Sequence, residues 1–496
     1  MDFTMGSIIL SREAWLDIQS FHMIGREKER QIILDCMNSG RPEFIAVYGR
    51  RRVGKTFLIK EYFQEHFAFY ATGVPRTNTR NQLKFFREAL IQYGDDTKTI
   101  PSDWAEAFQR LRKVLSLPTV YRDYENGRRV VFLDELPWMD TAKSDFKSAL
   151  DYFWNSWAST QKDLVLIVCG SATSWVISNL IRDTGGFYHR ITRQIYLAPF
   201  DLRECEMLLK SNGHQLTRKQ VIECYMIFGG IPHYLNYLRP QFSLAQNIDL
   251  LFFQENAPLR YEYDQLFSSL FRNAQNYVSI VETLASKKSG MTRAELLKVE
   301  KMPQGKDLTK CLDELEQCGF IRKYSAVSKD STGYIFQLID SLTLFHLTWL
   351  QNQKIDSWMN HMGTPAYYNW CGLAFERVCL LHSRQIKNVL GIFGISSHEY
   401  SWHSKKSEPG AQIDLLIDRK DDVINICEIK YSEGKYAISA SEEEALIRRR
   451  EVFRAETKSH KAIQITMITL NGLEKNEHRH IISNEIISDQ LFHELP

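Results

Sequence analysis

What this chain lacks narrows the possibilities first. Its nine cysteines are scattered and none stands in a C-x-x-C pair, which argues against zinc and against a disulfide framework and predicts buried thiols in a reducing cytoplasm. The start, Met1-Asp2-Phe3-Thr4-Met5, lacks the basic residues and apolar stretch of a secretory leader. The densest apolar run, Leu164-Val165-Leu166-Ile167-Val168-Cys169, falls far short of a membrane span. A cytoplasmic protein without a membrane is therefore expected. Charge of one sign is not in surplus either, with 62 Lys and Arg against 60 Asp and Glu. Any attraction to nucleic acid must then come from local patches. Internal repeats and low-complexity stretches are absent.

What is present is an ordinary globular composition, 44% apolar and 25% charged, so a large core is available. At 496 residues the length predicts three or four domains. The most informative segment is Gly49-Arg50-Arg51-Arg52-Val53-Gly54-Lys55-Thr56, a G-x-x-x-x-G-K-[ST] pattern. A strand-like run (Glu43-Phe44-Ile45-Ala46-Val47-Tyr48) precedes it, and a helix-like run beginning at Phe57 follows. In that setting the glycines let backbone N–H groups turn around a phosphate, at the positive end of the next helix. Lys55 would reach the terminal phosphates and Thr56 would hold Mg²⁺.

A second motif, Val130-Val131-Phe132-Leu133-Asp134-Glu135, reads as a buried parallel strand that opens on two acids. Asp134 would hold the hydrated Mg²⁺ and Glu135 would polarise the attacking water. Together the two motifs predict a chain that binds and hydrolyses a nucleoside triphosphate.

Strand and helix patterns alternate over residues 43–197, which predicts a mostly parallel α/β sheet. The expected strands are Phe44–Tyr48, Phe67–Ala71, Val130–Leu133, Leu164–Cys169 and Gln194–Leu197. Between Pro199 and Tyr263 the pattern is helical, broken at Phe228-Gly229-Gly230-Ile231-Pro232. Residues 273–345 read as three helices and a hairpin, the winged-helix pattern, with a capping box at Thr292 and Glu295. The third helix offers Lys306 and Lys310 to a DNA groove, but also Asp307, Asp313, Glu314 and Glu316. It suits either DNA or a structural, protein-binding role.

Beyond Gly363 two further strands stand out, Gln412–Asp418 and Val423–Tyr431. Alternation puts Glu428 and Lys430 on one face of the second. A divalent metal would compensate the desolvated Glu428, with Asp414 on the neighbouring strand as a second oxygen ligand. Lys430 could position a water or steady phosphate charge. An edge strand with a solvent-facing Glu-Lys pair is the alternative.

The assembled pattern resembles the archaeal-type AAA+ P-loop ATPases that carry a C-terminal domain of the PD-(D/E)XK nuclease class, over nearly the whole chain. The resemblance implies that Gly25 and Arg26 lie by the adenine, in a nucleotide site that continues through Gly49, Arg50, Arg51, Arg52, Val53, Gly54, Lys55, Thr56 and Phe57. It makes Ser171, after Cys169-Gly170, the polar residue near the γ-phosphate. Arg190, in Phe187-Tyr188-His189-Arg190, or else Arg193, would be an arginine finger from a neighbouring subunit. Where many such lids carry an arginine, this chain has His233 and Tyr234. At the far end Asp414 and Glu428-x-Lys430 match the nuclease signature, and Glu376 matches its helical acid, for a second Mg²⁺ or Mn²⁺.

The implied plan is an N-terminal linker and helix (1–42), a P-loop core (43–198), a helical lid (199–270), a winged helix (271–345), a connector (346–365) and a restriction-endonuclease-like α/β domain (366–496). Its implied function is ATP hydrolysis coupled to metal-dependent DNA cleavage. The alternatives are a nucleotide-state signalling switch, and a non-enzymatic regulator that binds DNA through its wing. The implied partners are ATP, double-stranded DNA, a protein at the winged helix and further copies of the chain.

Overall fold

Five short runs of mostly apolar residues build the first sheet. They are β1 (Glu43–Tyr48), β2 (Phe69–Thr72), β3 (Arg129–Asp134), β4 (Leu164–Gly170) and β5 (Arg193–Tyr196). In the computed structural model, which describes residues 23–182, 190–271, 273–325, 333–351, 356–404 and 411–496, they pair in parallel in the order β2-β3-β4-β1-β5. Each begins and ends within two residues of its expected place. β3 and β4 are buried along their whole length, as strands covered on both faces must be. Helices Thr79–Gln92, Trp104–Leu115 and Phe146–Ser156 supply one cover. Its centre is Trp104, whose ring meets Phe146 at 4.7 Å and Phe86 at 5.3 Å.

The chain divides into two compact units, Met1–Ala198 and Pro199–Pro496. The second opens with helices whose starts are written in the sequence. Asp201 with Glu204, Thr217 with Gln220 and Ser243 with Gln246 form reciprocal capping boxes, each cap contributing about 1 kcal/mol. The break at Gly229-Gly230 is two left-handed residues in succession (φ 65° and 69°). At Gly230 a Cβ would lie 2.1 Å from the Phe200 carbonyl oxygen, so only glycine fits.

A helix (Ala274–Ala285), a two-residue strand β6 (Met291–Thr292), a short helix (Arg293–Leu296) and a longer one (Gly305–Gln317) follow. The hairpin β7 (Ile321–Ser325) and β8 (Tyr334–Leu338) completes an antiparallel sheet in the order β6-β8-β7. The Thr292–Glu295 capping box is present. The last region carries β9 (Ser397–His403), β10 (Gln412–Arg419), β11 (Val423–Lys430), β12 (Ala462–Thr469) and β13 (Asn484–Ile487), in the order β13-β12-β11-β10-β9. β10 runs antiparallel to both β9 and β11, and β12 and β13 continue parallel to β11. Helix Pro365–Leu381 precedes this sheet, and helix Ala440–Thr457 joins β11 to β12.

All nine cysteines are buried and unbridged. Among the described residues no helix is long and apolar enough to cross a membrane. Residues 1–22 of the expected linker, Phe187-Tyr188-His189 and part of the connector (352–355) lie outside the described residues.

One buried histidine ties the second unit together. His382 accepts a hydrogen bond from the Leu202 N–H at Nε2 (3.1 Å), and its Nδ1 lies 2.8 Å from the Val378 carbonyl oxygen. Burial lowers its pKa, against smaller raising effects from that carbonyl and from Asp201. His346, stacked on Tyr263 at 4.3 Å, is lowered by burial as well. Below the unfolded value of about 6.5 the unfolded chain takes up protons that the folded unit refuses. Stability contributed by His382 is thus full above that pH and declines as pH falls. The urea midpoint of the second unit should drop between pH 7.5 and 5.5, and His382→Gln should flatten that slope. An equal slope in the variant would refute the assignment.

Candidate functional site

Parallel strands present their carboxyl ends at one edge, and there the first unit gathers its polar residues. After β1 the chain turns through the phosphate-loop residues and enters helix Lys55–Phe63 at Gly54, which is left-handed (φ 93°). Lys55 is buried, with Nζ 2.9 Å from the Gly49 carbonyl oxygen and 2.8 Å from that of Arg50. Arg52 is left-handed too (φ 70°). Val53 is buried, whereas Arg51 is half-buried and Phe57 exposed. The expected adenine-side residues do meet this loop, because buried Arg26 donates from Nη2 to the Val53 carbonyl oxygen at 3.3 Å. Gly25 and Arg26 both have positive φ, and Arg26 sits at the N-cap of helix Glu27–Asn38.

β4 stands between β1 and β3, yet the two motifs touch. Thr56 Oγ1 donates to Asp134 Oδ2 at 2.9 Å. The Glu135 N–H donates to Asp134 Oδ1 at 2.9 Å, and the Cys169 thiol is a third donor. Burial pushes Asp134 above the usual carboxylate range in spite of these donors. A buried anion met only partway by neutral donors is suited to a cation. Glu135 is left-handed (φ 47°), a strained state for a non-glycine residue and one that concentrates at functional positions. Its carboxylate accepts from Ser171 Oγ at 2.7 Å and from the Ser171 N–H at 3.3 Å. β3 and β4 are neighbours, so their ends deliver Glu135 and Ser171 side by side.

Two contributors escaped the sequence reading. Cys169 reads only as the end of a strand, and Thr173 is not singled out by the sequence at all. Thr173 is fully buried and donates to the Gly49 carbonyl oxygen at 2.8 Å, bracing the loop that carries Lys55. Arg190 is exposed, and Arg193 lies on β5 with Nη1 on the Thr192 carbonyl oxygen. In the second unit Tyr234 is core, donating to Glu262 at 2.7 Å, and His233 packs on Tyr237.

Residues 23–238 match the model of a family described as an ATPase domain predominantly from Archaea. The chain carries an archaeal-type ATPase domain. An uncharacterised protein of Methanocaldococcus jannaschii is 23% identical over 420 residues, 83% of this chain and 88% of that one. Among solved structures, the chain is similar to the Walker-type ATPase of Pyrococcus abyssi (17% identity, 66% of this chain and 96% of that one, TM-score 0.44). It is also similar to the ORC2 protein of Aeropyrum pernix (14% identity, 74% and 98%, TM-score 0.40).

Beyond the ATPase domain, the C-terminal candidates are arranged differently from the expectation. β11 is the central strand of its sheet, so the edge-strand alternative for Glu428 and Lys430 falls. The pairing of β10 with β11 ends at Leu415 and Cys427, so Asp414 and Glu428 stand on adjacent strands just beyond the last registered pair. Among the described residues, however, no three His, Cys, Asp or Glu side chains converge to hold a metal ion. Glu428, Asp414 and Glu376 are not gathered as one ligand set, because other partners hold them. Lys430 Nζ lies 3.0 Å from Glu428 and 3.0 Å from Glu442, and Arg449 takes the other Glu428 oxygen at 2.5 Å. Gln412 donates to Asp414 at 2.6 Å, and Arg377 pairs with Glu376. Burial raises Glu376 to about 6. Arg449, Glu442 and Arg377 were not singled out in the sequence, since nothing local shows which strand or acid they will face.

Ser171→Ala in the ATPase domain leaves Glu135 with one backbone donor in place of two. ATP turnover should fall about tenfold or more with nucleotide affinity kept. Steady-state kinetics beside equilibrium nucleotide titration checks this, and unchanged kcat would dissociate Ser171 from Glu135.

Proposed function

We propose that this chain binds Mg²⁺·ATP at the carboxyl edge of its first sheet and hydrolyses it, and that the nucleotide state alters the posture of the second unit. The observation that carries this reading is the convergence of the two motifs: Thr56, which directly follows buried Lys55, donates to Asp134, 78 residues on, and Glu135 accepts from Ser171 just after β4. In the proposed cycle Lys55 exchanges the Gly49 and Arg50 carbonyls for β- and γ-phosphate oxygens. N–H groups at the start of the nine-residue helix Lys55–Phe63 face the same phosphates. Thr56 and Asp134 would hold Mg²⁺, which when bound neutralises phosphate charge. Glu135 orients the attacking water and takes its proton, and Ser171 fixes the Glu135 carboxylate until phosphate competes for its hydroxyl. Gly25, Arg26, Arg50, Arg51, Arg52, Val53 and Phe57 complete the proposed nucleotide surround, with Arg190 or Arg193 reaching a neighbouring copy.

The region of three helices and a hairpin is proposed as a winged helix in a cytoplasmic protein. Lys306, Thr309 and Lys310 are exposed on its longer helix beside Asp307, while Glu314 is withdrawn onto the Tyr277 hydroxyl. That face suits a protein or DNA partner. Lys55→Ala should abolish nucleotide binding. Glu135→Gln should retain ATP while turnover falls on the order of 10²- to 10⁴-fold. Tight binding by the first variant, or normal single-turnover hydrolysis by the second, would overturn the front-site assignment.

A second reading, metal-dependent DNA cleavage by the C-terminal domain, is favoured by one observation: Asp414 and Glu428 stand on adjacent strands with Lys430 beside them. It predicts Mg²⁺- or Mn²⁺-dependent nicking of plasmid that Glu428→Ala removes while ATP turnover continues. Nicking that persists in the variant, or never occurs with or without ATP, counts against it.

A further inference from the structure

The Gly49 carbonyl oxygen has two donors. Lys55 Nζ reaches it at 2.9 Å and Thr173 Oγ1 at 2.8 Å, which fills both lone pairs of a backbone carbonyl. The donors differ in what holds them. Lys55 carries its ammonium on a flexible stem, whereas Thr173 is fixed. It is fully buried at the start of helix Thr173–Val176, which packs against β1 and β4. Two residues on, Trp175 donates from Nε1 to Asp140 at 3.0 Å, and Val176 lies in the core of the first unit.

The acceptor is constrained as well. Gly49 has φ 144°, and a Cβ there would lie 2.3 Å from the Leu197 carbonyl oxygen. Leu197 is bonded in its turn, its N–H donating to the Tyr48 carbonyl oxygen at 2.8 Å. The backbone at Gly49 is thus pressed against Leu197, which limits how far its carbonyl can turn. A buried carbonyl that loses its last donor costs far more than one that loses one of two.

In the cycle proposed above, Lys55 leaves this oxygen for phosphate, and Thr173 is the donor that stays. We infer that Thr173 sets nucleotide affinity by holding the Gly49 carbonyl while Lys55 is away, so that the lysine is released at low cost. This rests on the front-site reading of Lys55. Thr173 touches no phosphate in this role; it is a positioning residue that acts through the Gly49 carbonyl. A hydroxyl that merely stabilised the loop would matter equally with and without Lys55 in place. In the inferred role it matters little while Lys55 is there and much once Lys55 has gone. Lys55→Met reproduces the second condition without nucleotide, because it removes the ammonium and keeps much of the stem.

The test is a double-variant cycle on the nucleotide-free full chain by urea unfolding, with equilibrium titration of Mg²⁺·ATP alongside. Its members are wild type, Thr173→Val, Lys55→Met and the two changes together, with Thr173→Ser as the conservative variant. Without nucleotide, Thr173→Val should lower the first unit's midpoint less in the wild-type background than in the Lys55→Met background. Thr173→Val should bind Mg²⁺·ATP about tenfold more weakly than wild type, with the loss in KM rather than in kcat. Thr173→Ser, which keeps the hydroxyl, should bind as wild type does. If Thr173→Val does not fold, as judged by circular dichroism, Thr173→Ala carries the same expectations. Additivity in the cycle, wild-type affinity in a folded variant without the hydroxyl, or equal loss in Thr173→Ser overturns the inference and leaves the front-site reading intact. A wild-type chain that binds no ATP overturns that reading, and the inference with it.

Discussion

The Thr56–Asp134 hydrogen bond is the contact on which the first unit's chemistry turns. It joins the start of the helix after the phosphate loop to the end of a strand that is not that loop's neighbour. β4 fills the gap, and its presence sets the rest. Because β4 flanks β3, Ser171 meets Glu135. Because β4 also flanks β1, Thr173 just beyond it reaches the Gly49 carbonyl and steadies the loop. A single intervening strand thereby couples the loop that carries Lys55 to Glu135. The cost appears in two places: a carboxylate buried among neutral donors and a left-handed glutamate. Both are strains that a bound nucleotide and its cation can relieve.

Much of this was legible in the sequence because it is local. A glycine-rich pattern between a strand and a helix carries its own geometry, and continuous apolar runs of five to seven residues announce buried parallel strands. Helix starts were equally plain, since Thr292 with Glu295 is a local bond. What escaped depends on register and tertiary packing. Cys169 is an ordinary core residue by pattern, and only the β3–β4 register makes its thiol a donor to Asp134. The central position of β11 could not be read from alternation, because a half-buried central strand and an edge strand share period two.

The two acidic sites also show why a motif's residues and a motif's readiness are separate matters. At the front, Asp134 is met by a hydroxyl, a thiol and an N–H, all neutral, so its charge is left for a cation from solution. At the back, acids of the same kind stand on adjacent strands, but Glu376 and Glu428 are each paired with an arginine or lysine, and Asp414 accepts from Gln412. Geometry alone would rank the two as comparable. Charge compensation separates them, because a desolvated carboxylate pairs with whichever cation is already fixed beside it.

That distinction bears on how the second unit could serve the first. A carboxylate cluster neutralised by fixed cations within its own domain would be locked. In the C-terminal domain Arg377, Lys430 and Arg449 are such cations, carried by the same domain as the acids they meet. Helices that begin at Asp201 and Thr217 are bonded to the C-terminal region as well, through His382 to Leu202 and Tyr431 to Glu223. Tyr431 directly follows Lys430 at the end of β11. Those bonds tie the end of the strand that carries Glu428 to the opening helices of the second unit.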